Sequence, residues 1–216
     1  MSAPFRLRPF DPARDYPAAA SLVSAVNEHD GYDWLPTPEI LRHEFEHSAN
    51  FRPAMDARVA EVDRAAAGVV TAEWRARAGK IVHHVELWVA PAHRGRGVGS
   101  ALLAWAEAHE VDRVRSGDGG PVDLAHEIGG GGDPAIPGSS QLAAKRGYAV
   151  VRHWMELRRT LDGPIPDVPL PSGLAVRPVA PDEHRRIWEA DVEAFRDHWE
   201  ASERTEQDFE RWFHDP

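Results

Sequence analysis

The chain has 216 residues, 42% apolar and 28% charged, and its 35 acidic side chains outweigh 25 lysines and arginines for a formal net charge of −10. That apolar share is enough for a packed core, and the acidic balance argues against a broad face for nucleic-acid phosphates. There is no cysteine, which excludes disulfides, thiolate metal sites and a cysteine nucleophile. No apolar run is long enough to span a bilayer, and the first residues lack the apolar region of a secretory signal, so the expected compartment is the cytoplasm and neither nucleic acid nor membrane is an expected partner.

Phe5 to Pro9 reads as a short strand, and Ala19, Leu22, Val23 and Val26 then recur at helical spacing. Thr37-Pro38-Glu39 is a helix start, with a hydroxyl at the cap and proline in the first turn, and Ile40, Leu41 and Phe45 form its apolar stripe. Three strands are expected next, over 57–62, 68–76 and 81–89, with breaks at 63–67 and at Gly79. From Gly97 a helix is expected to run to about Glu110, with Val98, Ala101, Leu102 and Trp105 on one face. Residues 116–138 are rich in glycine and proline and read as a mobile loop, crossed by a strand near 122–125. A short helix over 140–146 ends at Gly147, and the alternation of Val151, Met155 and Leu157 suggests one more strand.

The prolines at 164, 166, 169 and 171 enforce extended geometry and mark residues 161–173 as a semi-rigid linker. Beyond it the pattern begins again. "FRLRPFDPARDYPAAASLVSAV" and "LAVRPVAPDEHRRIWEADVEAF" share a strand ending in Arg-Pro followed by an amphipathic helix, with Arg8-Pro9 matching Arg177-Pro178. Thr205 to Asp208 forms a variant capping box opening a last helix, which places Phe209, Trp212 and Phe213 on one face.

The stretch most suggestive of chemistry is "VELWVAPAHRGRGVGSALL", where Pro91 closes a strand and a helix follows. Successive backbone N–H groups in a tight glycine turn that opens onto a helix N-terminus can meet the charges of a diphosphate, with Arg94 and Arg96 adding charge at the rim. The even spacing of Gly95, Gly97 and Gly99 fits neither the dinucleotide-binding fingerprint nor the P-loop.

"VAPAHRGRGVG", with "KRGY" further on, resembles the V-x-P-x-x-R-G-x-G-x-G signature of the GNAT superfamily of N-acetyltransferases, over about residues 5 to 160. The resemblance implies an α/β (α+β) GNAT fold with a mixed central sheet flanked by helices, and acetyl-CoA as cosubstrate. It further implies that Leu87, Trp88 and Val89 present backbone groups to the pantetheine arm. Arg94, Gly95, Arg96, Gly97, Val98 and Gly99, with Ser100, would cradle the pyrophosphate. The chain is thus expected to move an acetyl group from acetyl-CoA to a primary amine of a small molecule or peptide. Aligned with the family pattern Y-x-K-x-G-[FY], Ala143 stands where the tyrosine acid usually is, and Tyr148 takes the buried aromatic position. That substitution favours an alternative, a non-catalytic acyl-CoA-binding module. The C-terminal stretch resembles the opening of the second half of tandem acetyltransferases, which implies three segments: an acetyltransferase domain over 1–160, the linker, and a partial second repeat of a strand and two helices over 174–216.

Acetyl transfer needs a neutral amine. An alkyl amine is neutral to the order of 0.1% or less at pH 7, a penalty of roughly 4 kcal/mol that a proton acceptor relieves. Candidate bases are Glu86, Glu73 and His83, with His84 as a further possibility; alternation puts His83 on the face of Val85 and Leu87, and His84 and Glu86 on the other. His43-Glu44-His47 spells a two-histidine zinc pattern, a remote alternative in which the chain is a zinc hydrolase, but the charged Glu46 and the absence of a marked third ligand favour a solvated helix face. Left in water, the aromatics of residues 174–216 would form a sticky patch, so this segment is expected either to fold back or to bury them in a homodimer, which the reach of the linker favours.

Overall fold

A computed structural model describes residues 5–136, 138–199, 201 and 204–213; residues 1–4 and 214–216, the ends of the expected segments, lie outside it. Five strands form one sheet in the order β1-β2-β3-β4-β5: β1 (Arg6–Pro9), β2 (Ala57–Val62), β3 (Ala65–Arg77), β4 (Lys80–Val89) and β5 (Ala125–Gly129). The first four are antiparallel neighbours, and β5 joins β4 in parallel, so the sheet is mixed.

The β-meander follows from two tight turns. Asp63 and Arg64 take left-handed φ of 48° and 67°, and Ala78 and Gly79 take 48° and 77°. Two-residue turns of this hand match the twist of the strands they join, so only residues 63–64 leave the ladder and Ala65 to Ala67 belong to β3 rather than to the expected break.

Helices α1 (Tyr16–Asp30) and α2 (Pro38–His47) cover one face of the sheet, followed by a single turn, α3 (Pro53–Asp56). Thr37 caps α2 as its sequence predicts, its side chain accepting from the Ile40 N–H. Phe10, Tyr16, Val23, Leu41, Val59 and Val69 are buried on this side. The other face is covered by α4 (Val98–Ser116), whose Val98, Leu102, Leu103 and Ala106 pack on Val70, Ala72 and Val85. This helix runs well past Glu110. Its last turns bury Glu110 and Arg113 instead of apolar residues, so hydrophobic periodicity fades before the helix does.

Helix α5 (Ser139–Lys145) follows the glycine-rich loop, and residues 148–180 form no helix or strand. Two expectations are corrected here. The strand foreseen at 122–125 lies three residues later, because Pro121 to Leu124 form a turn. Residues 151–157 do not form a strand: Val151, Met155 and Leu157 are 79%, 86% and 89% exposed, with no ladder partner for their backbone among the described residues.

Beyond the prolines, α6 (His184–Ala194) and α7 (Glu206–Phe213) form a hairpin in which Trp188 and Phe209 are buried against each other at 5.9 Å between ring centres. The predicted capping box is present: the Thr205 N–H donates to Asp208 at 2.9 Å, and the Asp208 N–H donates to the Thr205 hydroxyl at 3.3 Å. The hairpin folds back on the first unit, where α7 meets the end of α2 and the far end of β3.

The two Arg-Pro stretches share a local clasp. Arg8 donates to the Pro9 carbonyl at 3.0 Å and pairs with Asp15, which accepts the Asp11 N–H at 2.8 Å. Arg177 donates to the Pro178 carbonyl at 3.1 Å and pairs with Glu183 at 2.6 Å, which accepts the Ala180 N–H at 3.1 Å. Residues 174–178, however, form no strand.

Candidate functional site

The site begins where β4 and β5 part. Their parallel register runs from Lys80↔Ala125 to His84↔Gly129 and stops there. Gly130 then turns away so close to β4 that a Cβ on it would lie 2.5 Å from the Val85 carbonyl oxygen, contact that only glycine permits. From Glu86 to Val89, β4 continues to pair with β3 alone, through Thr71↔Glu86 to Gly68↔Val89. The Ala90 N–H bonds the Ala67 carbonyl at 3.0 Å, so antiparallel alternation turns both main-chain groups of Trp88 onto Val69 and those of Leu87 and Val89 into a gap in the sheet. Trp88, expected to present backbone groups to the gap, spends them on β3. The Val89 carbonyl is already committed to a hydrogen bond from Arg94 Nε at 3.1 Å.

At the open end of this gap, Gly95 and Gly97 adopt φ of 71° and 84° in a turn leading into α4. A Cβ at Gly97 would meet nothing within 4 Å, so conformation and the open approach, not crowding, select glycine there. Gly97 caps α4 with no side-chain hydrogen bond, and the first intrahelical bond runs from the Ala101 N–H to Gly97. The N–H groups of Val98, Gly99 and Ser100 precede it in the first turn, where a helix has donors without internal acceptors. Val98 is buried under the sheet and Gly99 faces Leu142, while Gly95, Arg96, Gly97 and Ser100 are exposed.

The two arginines differ. Arg94, expected at the rim, forms a bidentate ion pair with Asp30 at the end of α1, at 2.8 and 2.6 Å. It ties the turn to α1. Arg96 makes no ion pair among the described residues and is the free cation of the loop.

The candidate bases fall on two faces. His83 lies under α4, 2% exposed, its Nδ1 against Glu110 and its Nε2 3.0 Å from His126 Nδ1. Both of its ring nitrogens are engaged. Glu110 also pairs with Arg113 at 3.1 Å, and Arg113 and His109 both reach buried Asp56, His109 at 2.8 Å. Burial opposes the charge on Asp56, but the hydrogen bonds from His109 and Arg52 and the charge of Arg113 outweigh it and hold this carboxyl below its usual range.

On the α1–α2 face, cross-strand pairing sets Glu73 opposite His84 and Thr71 opposite Glu86. Glu86 is half exposed and lies 3.2 Å from His84 Nε2. Glu73 accepts from the Ser48 hydroxyl and from Arg75 Nε, the latter at 3.4 Å. Nearby, Tyr32 at the end of α1 donates to Asp133 at 3.0 Å, joining the α1–α2 connection to the loop after β5. No local pattern announces this link, because its partners lie far apart in the sequence.

Tyr148 is half-buried against the cluster of α4, as its aromatic position suggests. Burial, then the negative charge of Glu107, push its phenol up to about 12. His43 and His47 stack at 4.4 Å instead of converging on a point; His43 Nε2 donates to the Arg211 carbonyl at 2.8 Å, and His47 Nδ1 to the His43 carbonyl at 3.0 Å. Among the described residues no group of three acidic or histidine side chains could hold a metal ion, and no helix is long and apolar enough to cross a membrane.

A mixed sheet that parts after His84, beside a glycine turn opening a long helix, defines a class. Residues 55–125 match the acetyltransferase (GNAT) domain family, and the chain contains a GNAT acetyltransferase domain. It is 34% identical over 172 residues to a mycothiol acetyltransferase of Frankia casuarinae, covering 70% of this chain and 46% of the relative. With that of Salinispora arenicola it shares 33% over 199 residues, 89% of this chain and 58% of the relative. The chain thus spans about half the length of these curated relatives. A GCN5-related N-acetyltransferase from Sphaerobacter thermophilus superposes with a TM-score of 0.63 at 25% identity, over 98% of this chain and 62% of that one. A predicted acetyltransferase from Clostridium acetobutylicum, solved with acetyl-CoA, shares the fold with a TM-score of 0.52 at 13% identity, over 71% and 96% of the two chains.

Proposed function

We propose that the chain is an acetyl-CoA-dependent N-acetyltransferase that transfers an acetyl group to a primary amine of a small molecule or peptide. The observation that carries this reading is the gap in the sheet beyond His84, with the glycine turn at its mouth. The N–H and carbonyl of Leu87 and the N–H of Val89, which face the gap, would pair with the amides of the pantetheine arm. The turn from Arg94 to Gly99, the first N–H groups of α4 up to Ser100, and the Arg96 guanidinium would meet the pyrophosphate. Arg94 acts there by holding the turn through Asp30.

An amine approaching the thioester from the α1–α2 face meets Glu86, His84 and Glu73. In this reading Glu86, beside His84, takes the proton of the amine, directly or through water, and Glu73 holds the incoming ammonium. His83 is set aside as a base because it lies on the opposite face with both nitrogens occupied. Mycothiol-related amines are the first acceptors to test, because the curated relatives are mycothiol acetyltransferases. The deciding measurement is a screen of amines with acetyl-CoA, following CoA release, beside a calorimetric titration with CoA. Transfer to at least one amine is expected.

A second reading is specifically favoured by Ala143, which leaves the usual position of the acid without a hydroxyl. In it the domain is a non-catalytic acyl-CoA-binding module of a tandem acetyltransferase, and the titration would show binding with no transfer to any amine. The shared Arg-Pro clasp supports reading residues 174–216 as a partial second repeat, joined through 161–173 to a first domain over 1–160. Phe195, Trp212 and Phe213 on this repeat are 50%, 42% and 44% exposed, a surface suited to a homodimer. Sedimentation at rising concentration is expected to show a dimer that Trp212→Ser weakens.

A further inference from the structure

The α6–α7 hairpin meets the first unit through a set of polar contacts. Its aromatic side chains pack on one another, with Trp188 and Phe209 buried and Trp212 half-exposed at the edge of the cluster. Its polar face presents Asp208 to Arg75 Nη1 at 2.9 Å, the Arg211 carbonyl to His43 at 2.8 Å, and Gln207 to the Ser48 carbonyl at 3.5 Å. These directed contacts fix how the hairpin sits on the first unit.

One of these contacts reaches the candidate site. Arg75 is 12% exposed, and its guanidinium is fixed at three points: Nη1 on Asp208, Nε on Glu73 at 3.4 Å and Nη2 on the Ser48 hydroxyl at 3.5 Å. Burial alone would depress this guanidinium, but the charge of Glu73 and the hydrogen bond to Asp208 raise it above its ordinary value. Asp208 is 2% exposed and is itself held by the Thr205 N–H and hydroxyl at 2.9 and 2.8 Å. The planar fork of arginine transmits orientation: a guanidinium gripped on one side by Asp208 fixes the carboxylate on the other.

We infer that Asp208 is a positioning residue for the acetyl-transfer site, acting through Arg75 to orient Glu73 toward the acceptor. This rests on the proposed function and on the place of Glu73 beside the incoming amine. Without Asp208 the guanidinium is free to rotate onto Glu73 with both amino groups and draw its carboxylate away from His84. The glycine turn and the free edge of β4 are formed by other residues, so binding of the acetyl donor is left unchanged.

The test uses the full chain with three variants, Asp208→Asn, Asp208→Glu and Trp188→Leu. Trp188→Leu loosens the hairpin, where Trp188 packs on Phe209, without removing a partner of Asp208 or Arg75, and so reports what loss of hairpin stability alone does. For Asp208→Asn, kcat for the amine is expected to fall roughly tenfold while KM for acetyl-CoA and the Kd of CoA stay unchanged. Asp208→Glu is expected to restore part of that loss, and Trp188→Leu to lower the melting temperature with kcat kept. Unaltered kcat in Asp208→Asn, or an equal fall in Trp188→Leu, overturns the inference and leaves the proposed activity standing. A wild type that binds CoA but acetylates no amine overturns the proposed activity and this inference with it.

Discussion

Gly97 occupies the left-handed region at φ 84° in open space, where a phosphate would approach. Replacing it with aspartate adds a negative charge at that point and a side chain in a left-handed conformation that glycine adopts more readily. Gly97→Asp is expected to weaken CoA binding at least about tenfold in a calorimetric titration, equivalent to about 1.4 kcal/mol, while the circular dichroism of the fold is kept. Glu86→Gln is expected to lower the rate at pH 7 roughly a hundredfold. The loss should be partly recovered as pH rises, because each unit below the amine's own pKa supplies more of the neutral acceptor without a base. Both residues could be singled out from sequence, one from glycine spacing at the end of a strand, the other from alternation along β4. The role of Arg94 could not, since its partner Asp30 lies 64 positions away on α1 and no local pattern links them.

At the scale of elements, α4 owes its last turns to paired charges. Asp56 at the end of α3 receives His109 at 2.8 Å and Arg113 at 3.6 Å, and Glu110 receives His83 and Arg113, so three charged or polar side chains of α4, His109, Glu110 and Arg113, replace an apolar stripe. Because the folded pKa of Asp56 is depressed, its contribution to stability is present above the unfolded value of 3.8 and is lost as pH falls through the folded value. Urea midpoints are therefore expected to show Asp56→Asn less stable than wild type at neutral pH. The difference should shrink as pH falls below about 4. Sequence periodicity found the strands of the meander and the starts of the helices, since those depend on alternation, caps and turns. It ended α4 too early because buried ion pairs have no hydrophobic period, and it read a strand at 151–157 because alternation cannot reveal whether a neighbouring strand is there to pair with. The start of β5 was displaced for a similar reason: in a glycine-rich loop, the register on β4 decides which residues pair.

Across the whole molecule, the hairpin of α6 and α7 lies folded back on the first unit through Asp208 and Arg75, partners 133 positions apart. The aromatic stripe and the capping box of this hairpin were legible in sequence, and folding back was one of the two outcomes expected of it; the contacts that dock it were not, because polar pairs between distant segments leave no periodic trace. The parting of β4 and β5 after His84 has a thermodynamic consequence as well. A ligand that pairs with the outward main-chain groups of Leu87 and Val89 bonds only to the folded sheet, since the two strand ends adopt this spacing only when β4 is held by β3 on one side and by β5 up to His84 on the other. Folding and occupancy are then linked by mass action, with CoA present at a hundred times its dissociation constant adding about 2.7 kcal/mol to the unfolding free energy. The melting temperature is expected to climb with the logarithm of CoA concentration in wild type and to begin that climb only at about tenfold or higher concentration in Gly97→Asp, which makes a melting curve a titration of the cleft.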